Sequence, residues 1–237
     1  MSNLLFGKKA LLENINSINK VHILKIEQKT ISLLKAHDIP FIIEKQSYFA
    51  KFNKNLNHQN IVCELKQTKT ITLDELLEST KQKSIILVLD SLQDPQNFGA
   101  IIRSAEALGV DAIIYKKDGQ VQINDFVIKS STGAINHIPL IRVTNLVETI
   151  KQLKQHNYWV YCSTLNDKSK NFNHVNFDDK VVLIVGNEQK GVSPLVASIA
   201  DFQIKIPMYG STQSLNVSVA TGILLNHIAQ KHKGEKW

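Results

Sequence analysis

From Ser84 onward the chain alternates unbroken apolar runs with amphipathic stretches. Ile85-Ile-Leu-Val-Leu and Val181-Val-Leu-Ile-Val contain no polar position, the pattern of strands buried on both faces. The spacing predicts strands at 85–90, 112–115, 158–163, 181–185 and 203–206, and helices at about 96–108, 145–156, 193–200 and 215–231. Apolar strands alternating with amphipathic helices predict an α/β fold with a mostly parallel sheet covered on both faces. Residues 1–66 read as a separate small α/β unit. It has a helix starting at Phe6 and running to Glu13, a strand at Val21–Ile26, a helix at Thr30–His37 and strands at 40–44 and 61–65. Residues 67–83 turn polar and charged around one short amphipathic turn, so they read as a linker. The expected organisation is therefore 1–66, a linker at 67–83, and a main domain at 84–237.

Charge adds a partner class. A formal charge of +7 and a pI of about 9.3 suit a polyanion such as RNA, although many basic proteins never touch nucleic acid. Cys63 and Cys162 lack zinc-ligand spacing and read as reduced thiols of a cytoplasmic protein. No apolar run approaches the ~18 residues of a membrane span. Only Arg103 and Arg142 are arginines; every other basic side chain is lysine. A chain with that bias keeps arginine where a planar, multi-donor guanidinium is hard to replace, unless Arg103 merely pairs with Glu106 on its own helix.

Several familiar chemistries are disfavoured. The strand at 85–90 leads into a turn with one glycine, Gly99, not the Gly-x-Gly-x-x-Gly of a dinucleotide site. Gly186-Asn-Glu-Gln-Lys-Gly191 has P-loop glycine spacing, but Val192-Ser193 stands where Lys and Ser/Thr are needed. Histidines and carboxylates show no metal-ligand spacing, so no metal is expected. Ser163 and Ser193 lack a nucleophile-elbow context.

Three segments remain. Ile85–Gly109 carries Asp94-Pro95-Gln-Asn97 and Arg103 at a strand-to-helix turn, with Asp94 as cap and Pro95 at the first helical position. Val181–Ser193 is a strand running into a glycine-bounded loop with Glu188. Ile206–Leu225 passes through Pro207 and a Gly/Ser/Thr loop into Ser214-Leu215-Asn216-Val217-Ser218, which opens a helix. In order and spacing they resemble the three signature motifs of the SpoU branch of the SPOUT RNA methyltransferases, over residues 84–230. The resemblance implies a SPOUT fold with a deep C-terminal trefoil knot, binding S-adenosylmethionine (S-adenosyl-L-methionine) in the knot loops. It places Thr164, Leu165, Gly186, Ile206, Ser214 and Leu215 at the cofactor. It gives Asn97, Arg103, Glu188, Ser214 and Asn216 to catalysis, with Arg103 receiving or directing the proton of a ribose 2′-hydroxyl, or stabilising the alkoxide. Glu188 would orient donor groups or bridge to Arg103 or Asn216 across a homodimer.

The opening segment, with Asn57-His58-Gln-Asn-Ile-Val62, resembles the N-terminal RNA-binding domain, similar to ribosomal protein L30e, of bacterial 23S rRNA guanosine 2′-O-methyltransferases. His58 there is a candidate RNA contact or a plain loop hydrogen bonder. Together these imply 2′-O-methylation of a 23S rRNA guanosine by a homodimer. A tRNA-loop methyltransferase and a non-catalytic ribosome-assembly factor are the alternatives.

Overall fold

The computed structural model describes residues 4–15, 18–25, 27–52, 58–65, 71–78 and 81–233. The expected strand end at Ile26, Asn57, and parts of the expected linker (67–70 and 79–80) lie outside them. The chain divides into two compact units, residues 1–67 and 68–237.

The first unit runs β1 (Leu4–Phe6), α1 (Lys8–Glu13), β2 (Ile18–Ile23), α2 (Gln28–Ala36), β3 (Phe41–Ile43), α3 (Gln46–Phe49) and β4 (Ile61–Leu65). Its four strands lie in the order β1-β4-β2-β3, antiparallel except for β2 with β3. The helix expected from Phe6 starts later. Phe6 pairs with Val62 in the sheet, and Gly7, at φ 89°, turns the chain before Lys8 begins α1. Leu11, Val21, Leu34, Phe49 and Val62 form the centre of the unit and are fully or almost fully buried. His22 lies between Glu44 and Glu64, 2.8 Å from a carboxylate oxygen of each, and stacks on Tyr48. His58 accepts the Asn60 backbone N–H at 3.0 Å, the loop hydrogen-bonding role.

The second unit opens with α4 (Leu73–Leu77) inside the segment read as a linker. Thr72 and Glu75 close a capping box on it, and Leu76 joins the unit's core. Then follow β5 (Ser84–Asp90), α5 (Pro95–Ala107), β6 (Ala112–Lys116), α6 (Asp125–Ser130), β7 (Leu140–Val143), α7 (Leu146–Gln155), β8 (Trp159–Ser163), β9 (Lys170–Asn171), β10 (Lys180–Gly186), α8 (Pro194–Ser198), β11 (Phe202–Lys205) and α9 (Val217–Lys233). The seven strands lie in the order β7-β6-β5-β10-β8-β11-β9, and every pair is parallel. All seven residues of β5 are buried, as are six of the seven of β10, which accounts for their unbroken apolar runs. The expected elements of this unit are present. The short α6, β7 and β9 were not anticipated, because each is too brief to set up a period.

β5 feeds strands on one side of the sheet, while its other neighbour, β10, arrives about ninety residues later. Adjacent strands whose connections diverge leave a crevice beyond their carboxyl ends, where open α/β sheets bind ligands. In register, Asp90 pairs with Gly186 at that edge.

α9 is packed on one side by Leu224, Leu225 and Ile228. Its His227 meets the rings of Phe172 and Phe177, and its Nε2 is buried without a hydrogen-bond partner among the described residues. Burial first, then Lys231, lowers the His227 pKa from its usual 6.5. The folded protein thus favours neutral His227, and the unfolded chain binds the extra proton. Stability from this site is present above about pH 6.5 and is lost as pH falls through the lowered folded value. Thermal melts should show Tm dropping on acidification below pH 6.5, with a shallower drop in His227→Gln. Identical acid slopes for the two proteins would contradict this.

Candidate active site

The site is built around the crevice beyond β5 and β10. After β10 the chain makes a closed turn: Asn187 and Gly191 exchange backbone hydrogen bonds, both 2.9 Å. The Asn187 Oδ1 accepts the N–H groups of Gln189 and Lys190, and its Nδ2 donates to the Ser91 carbonyl at 2.9 Å. Gly186 makes the return possible, because a Cβ there would lie 2.2 Å from the carbonyl carbon of Gly191 and the nitrogen of Val192. Beside it the buried Asp90 accepts the Ser193 N–H at 2.8 Å and the Ser91 hydroxyl at 2.9 Å, tying the end of β5 to the start of α8.

Three distant segments meet through side chains. The Glu188 carboxylate accepts the backbone N–H groups of Gln93 and Asp94, both at 3.3 Å, and the Asn97 Nδ2 at 3.2 Å. The Asn97 Oδ1 accepts from the Asn216 Nδ2 at 3.0 Å, and the Asn216 Oδ1 caps α9 by accepting from the Ser218 N–H at 2.8 Å. Asn97 is buried in the first turn of α5, and from there its side chain meets both Glu188 and Asn216.

Two cavities flank this network and share the 187–191 turn as a wall. One, of about 540 Å³, is bounded by the ends of β8, β10 and β11 and by the chain entering α9. All six residues expected at the cofactor line it: Thr164, Leu165, Gly186, Ile206, Ser214 and Leu215. The other, of about 1010 Å³, is lined mostly by polar residues and takes in Asp90, Gln93, Asp94, Asn97, Glu188 and Asn216. Arg103 lines neither. It is exposed on α5, on a different face from Asn97, as their six-residue spacing requires. Its guanidinium makes no hydrogen bond or ion pair with a described residue, so the local pairing with Glu106 does not form. The bridge from Glu188 to Arg103 is expected across a homodimer; within one chain Glu188 is taken up by the 93–97 segment.

Asp90 and Asn187, which brace the site, carry no assignment from the sequence, and Ser193 is considered there only as a nucleophile or P-loop position. A lone acid ending an all-apolar strand was the available signal for Asp90. The Cys162 thiol, by contrast, is pushed up to about 12 by burial, with the Asp90 charge adding, which leaves it no nucleophile. Among the described residues no group of three His, Cys, Asp or Glu could hold a metal, and no helix is long and apolar enough to cross a membrane.

Residues 84–226, which include both cavities and the network between them, match the SpoU rRNA Methylase family. The chain belongs to that family. A Mycoplasma genitalium protein named as an uncharacterized tRNA/rRNA methyltransferase is 43% identical, covering 93% of this chain and 94% of its own. The SpoU methyltransferase AviRb from Streptomyces viridochromogenes, solved with AdoMet, superposes with a TM-score of 0.72 at 20% identity, over 98% of this chain and 91% of that one. The A. aeolicus TrmH/SpoU tRNA modifying enzyme reaches a TM-score of 0.57 at 36% identity, over 69% of this chain and 85% of its own. This SpoU protein is thus an RNA methyltransferase by family, with the fold of its structural neighbours, one of them solved with S-adenosylmethionine. The smaller cavity suits that cofactor, with apolar side chains at Leu165, Ile206 and Leu215 beside hydroxyls at Thr164 and Ser214.

Proposed function

We propose that the protein transfers a methyl group to the 2′-hydroxyl of a guanosine in 23S rRNA. The observation that carries this reading is the arrangement of two cavities on either side of one rigid turn, joined by the Glu188–Asn97–Asn216 network. Thr164, Leu165, Gly186, Ile206, Ser214 and Leu215 would hold the cofactor in the smaller cavity. The bound cofactor supplies a sulfonium-activated methyl group. The protein's task is to place the hydroxyl in line with that methyl and to manage its proton, and positioning alone can lower the barrier by several kcal/mol. Asn216 donates a hydrogen bond to Asn97, which itself donates to Glu188, and with Ser214 the two asparagines would orient the ribose and its phosphate. Glu188 acts by pinning the 93–97 segment. The part of Arg103 is to stabilise the forming alkoxide through a planar fork shared with the RNA phosphate.

Arg103 must reach a site that its own chain does not bring to it. Val219 and Ile223 form an exposed apolar strip on α9, half and just over a third exposed, continued by Leu215. Gly222 lies opposite Ser104, so the helix that carries this strip packs against the helix that carries Arg103, and we place the two on one surface. We take this surface to be the contact between two copies, through which each Arg103 serves its partner's site. Val219→Asp should give a monomer by light scattering that has lost methyl transfer but still binds S-adenosylhomocysteine. An unaltered protein that is monomeric at micromolar concentration would contradict the arrangement.

The choice of 23S rRNA over tRNA leans on residues 1–66, proposed as an L30e-like RNA-binding domain. The tRNA enzyme from A. aeolicus matches only 69% of this chain. The deep trefoil knot belongs to the same proposal, with the segments at 163–166, 185–194 and 206–217 that wall the smaller cavity as its loops. Calorimetry tests the cofactor assignment: S-adenosylmethionine and its demethylated product should each bind without added metal. Binding of NAD or ATP in their place would refute it.

A further inference from the structure

We infer that the polar cavity reads the base of the target nucleotide, and that Asp94, supported by Gln93, selects guanine. This rests on the methyltransferase reading above and adds the residues that set specificity. Most polar groups around the cavity are already used within the protein: Asn187 holds its own turn, Asp90 accepts from Ser91 and Ser193, and both Glu188 oxygens are engaged. Asp94 differs. Its Oδ1 caps α5 by accepting the Gln96 N–H at 2.8 Å, while its Oδ2 has no hydrogen-bond partner among the described residues.

Gln93 repeats the situation. Its Nε2 donates to the carbonyls of Ser91 and Gly119, at 3.1 and 2.9 Å, which fixes the amide orientation and leaves Oε1 as the unpartnered end. The backbone of both residues is pinned to Glu188. Neighbouring residues thus offer the cavity two acceptors, held in place, and no spare side-chain donor.

Such a wall fits an edge with adjacent donors. Guanine alone among the RNA bases has two neighbouring donors on its Watson–Crick edge, N1–H and the 2-amino group. Adenine and cytosine set a donor beside an acceptor, and uracil has one donor between two acceptors. A carboxylate accepting from guanine makes charge-assisted bonds, whereas adenine would face it with the N1 lone pair and leave acceptors unsatisfied. On the shared turn, the side chains of Gln189 and Lys190 also lack partners among the described residues and are available to O6 and to phosphate.

The test uses the full-length protein saturated with S-adenosylhomocysteine and titrated with GMP, IMP and AMP by NMR. GMP should bind about tenfold more tightly than AMP, with IMP, which lacks the 2-amino group, in between. Asp94→Asn keeps an oxygen for the helix cap, since Asn and Asp cap equally well, but turns the free oxygen into a donor. The GMP preference should vanish or invert while S-adenosylhomocysteine binding is retained. Gln93→Met removes the second acceptor outside the cap and should weaken GMP without affecting AMP, and it decides the matter if Asp94→Asn does not fold. Equal binding of GMP and AMP, no nucleotide binding, or a GMP preference that survives the substitutions would overturn the inference alone. Failure to bind S-adenosylhomocysteine would instead remove the methyltransferase reading on which it stands.

Discussion

Arg103→Lys should lower single-turnover methyl transfer about a hundredfold or more, the scale of losing one preorganised donor to the charge that develops in the transition state, and leave cofactor binding intact. Lysine keeps the charge but not the planar fork, so it cannot hold a hydroxyl and a phosphate at once. The structure makes this a clean experiment. Arg103 is exposed, pairs with nothing among the described residues and lines neither cavity, so fold and cofactor pocket have no reason to change. An arginine serving only its own helix surface would be worth a few tenths of a kcal/mol, and its replacement would leave the rate alone. Wild-type rates in the lysine variant would take Arg103 out of the mechanism.

Gly186→Ala should act at the opposite end of the chemistry, on binding. The added methyl would sit 2.2 Å from backbone atoms of Gly191 and Val192, where no side chain can swing aside. Relief requires moving the 187–191 turn, which is held by reciprocal backbone bonds and by Asn187 to Ser91. Overpacking of this kind destabilises by about 1–3 kcal/mol, and backbone-to-backbone crowding belongs at the upper end. The same displacement deforms the wall common to both cavities. Cofactor affinity should therefore drop by at least about tenfold, the equivalent of 1.4 kcal/mol, together with a lower Tm. An alanine variant that binds S-adenosylhomocysteine normally would mean that the turn does not shape the pocket.

The sequence carried the sheet because its central strands are buried on both faces and so contain nothing but apolar residues. α5 was legible because Asp94 and Pro95 mark its first turn. By contrast, β7 and β9 are four and two residues long, below the length at which periodicity speaks. The start of α1 was misplaced because Phe6 extends an apolar pattern that Gly7 interrupts by conformation, not by polarity.

The site shows the same division. All six residues that the family resemblance assigns to the cofactor line one cavity. What the residues could not reveal alone was the long-range pairing: Glu188 with a segment about ninety positions earlier, and Asn97 with Asn216, 119 positions later. Such contacts depend on the strand order, which places β10 beside β5. Asp90 was passed over because an acid at a strand end looks like an ordinary solvated boundary, yet here it is 1% exposed and holds Ser193.

The most direct measurement is a map of ribose methylation across total RNA from cells with and without the gene. The account predicts that one guanosine in 23S rRNA loses its 2′-O-methyl group when the gene is absent and regains it with the wild-type protein but not with Arg103→Lys. Unchanged methylation at every 23S rRNA guanosine, with or without a change in tRNA, would contradict it.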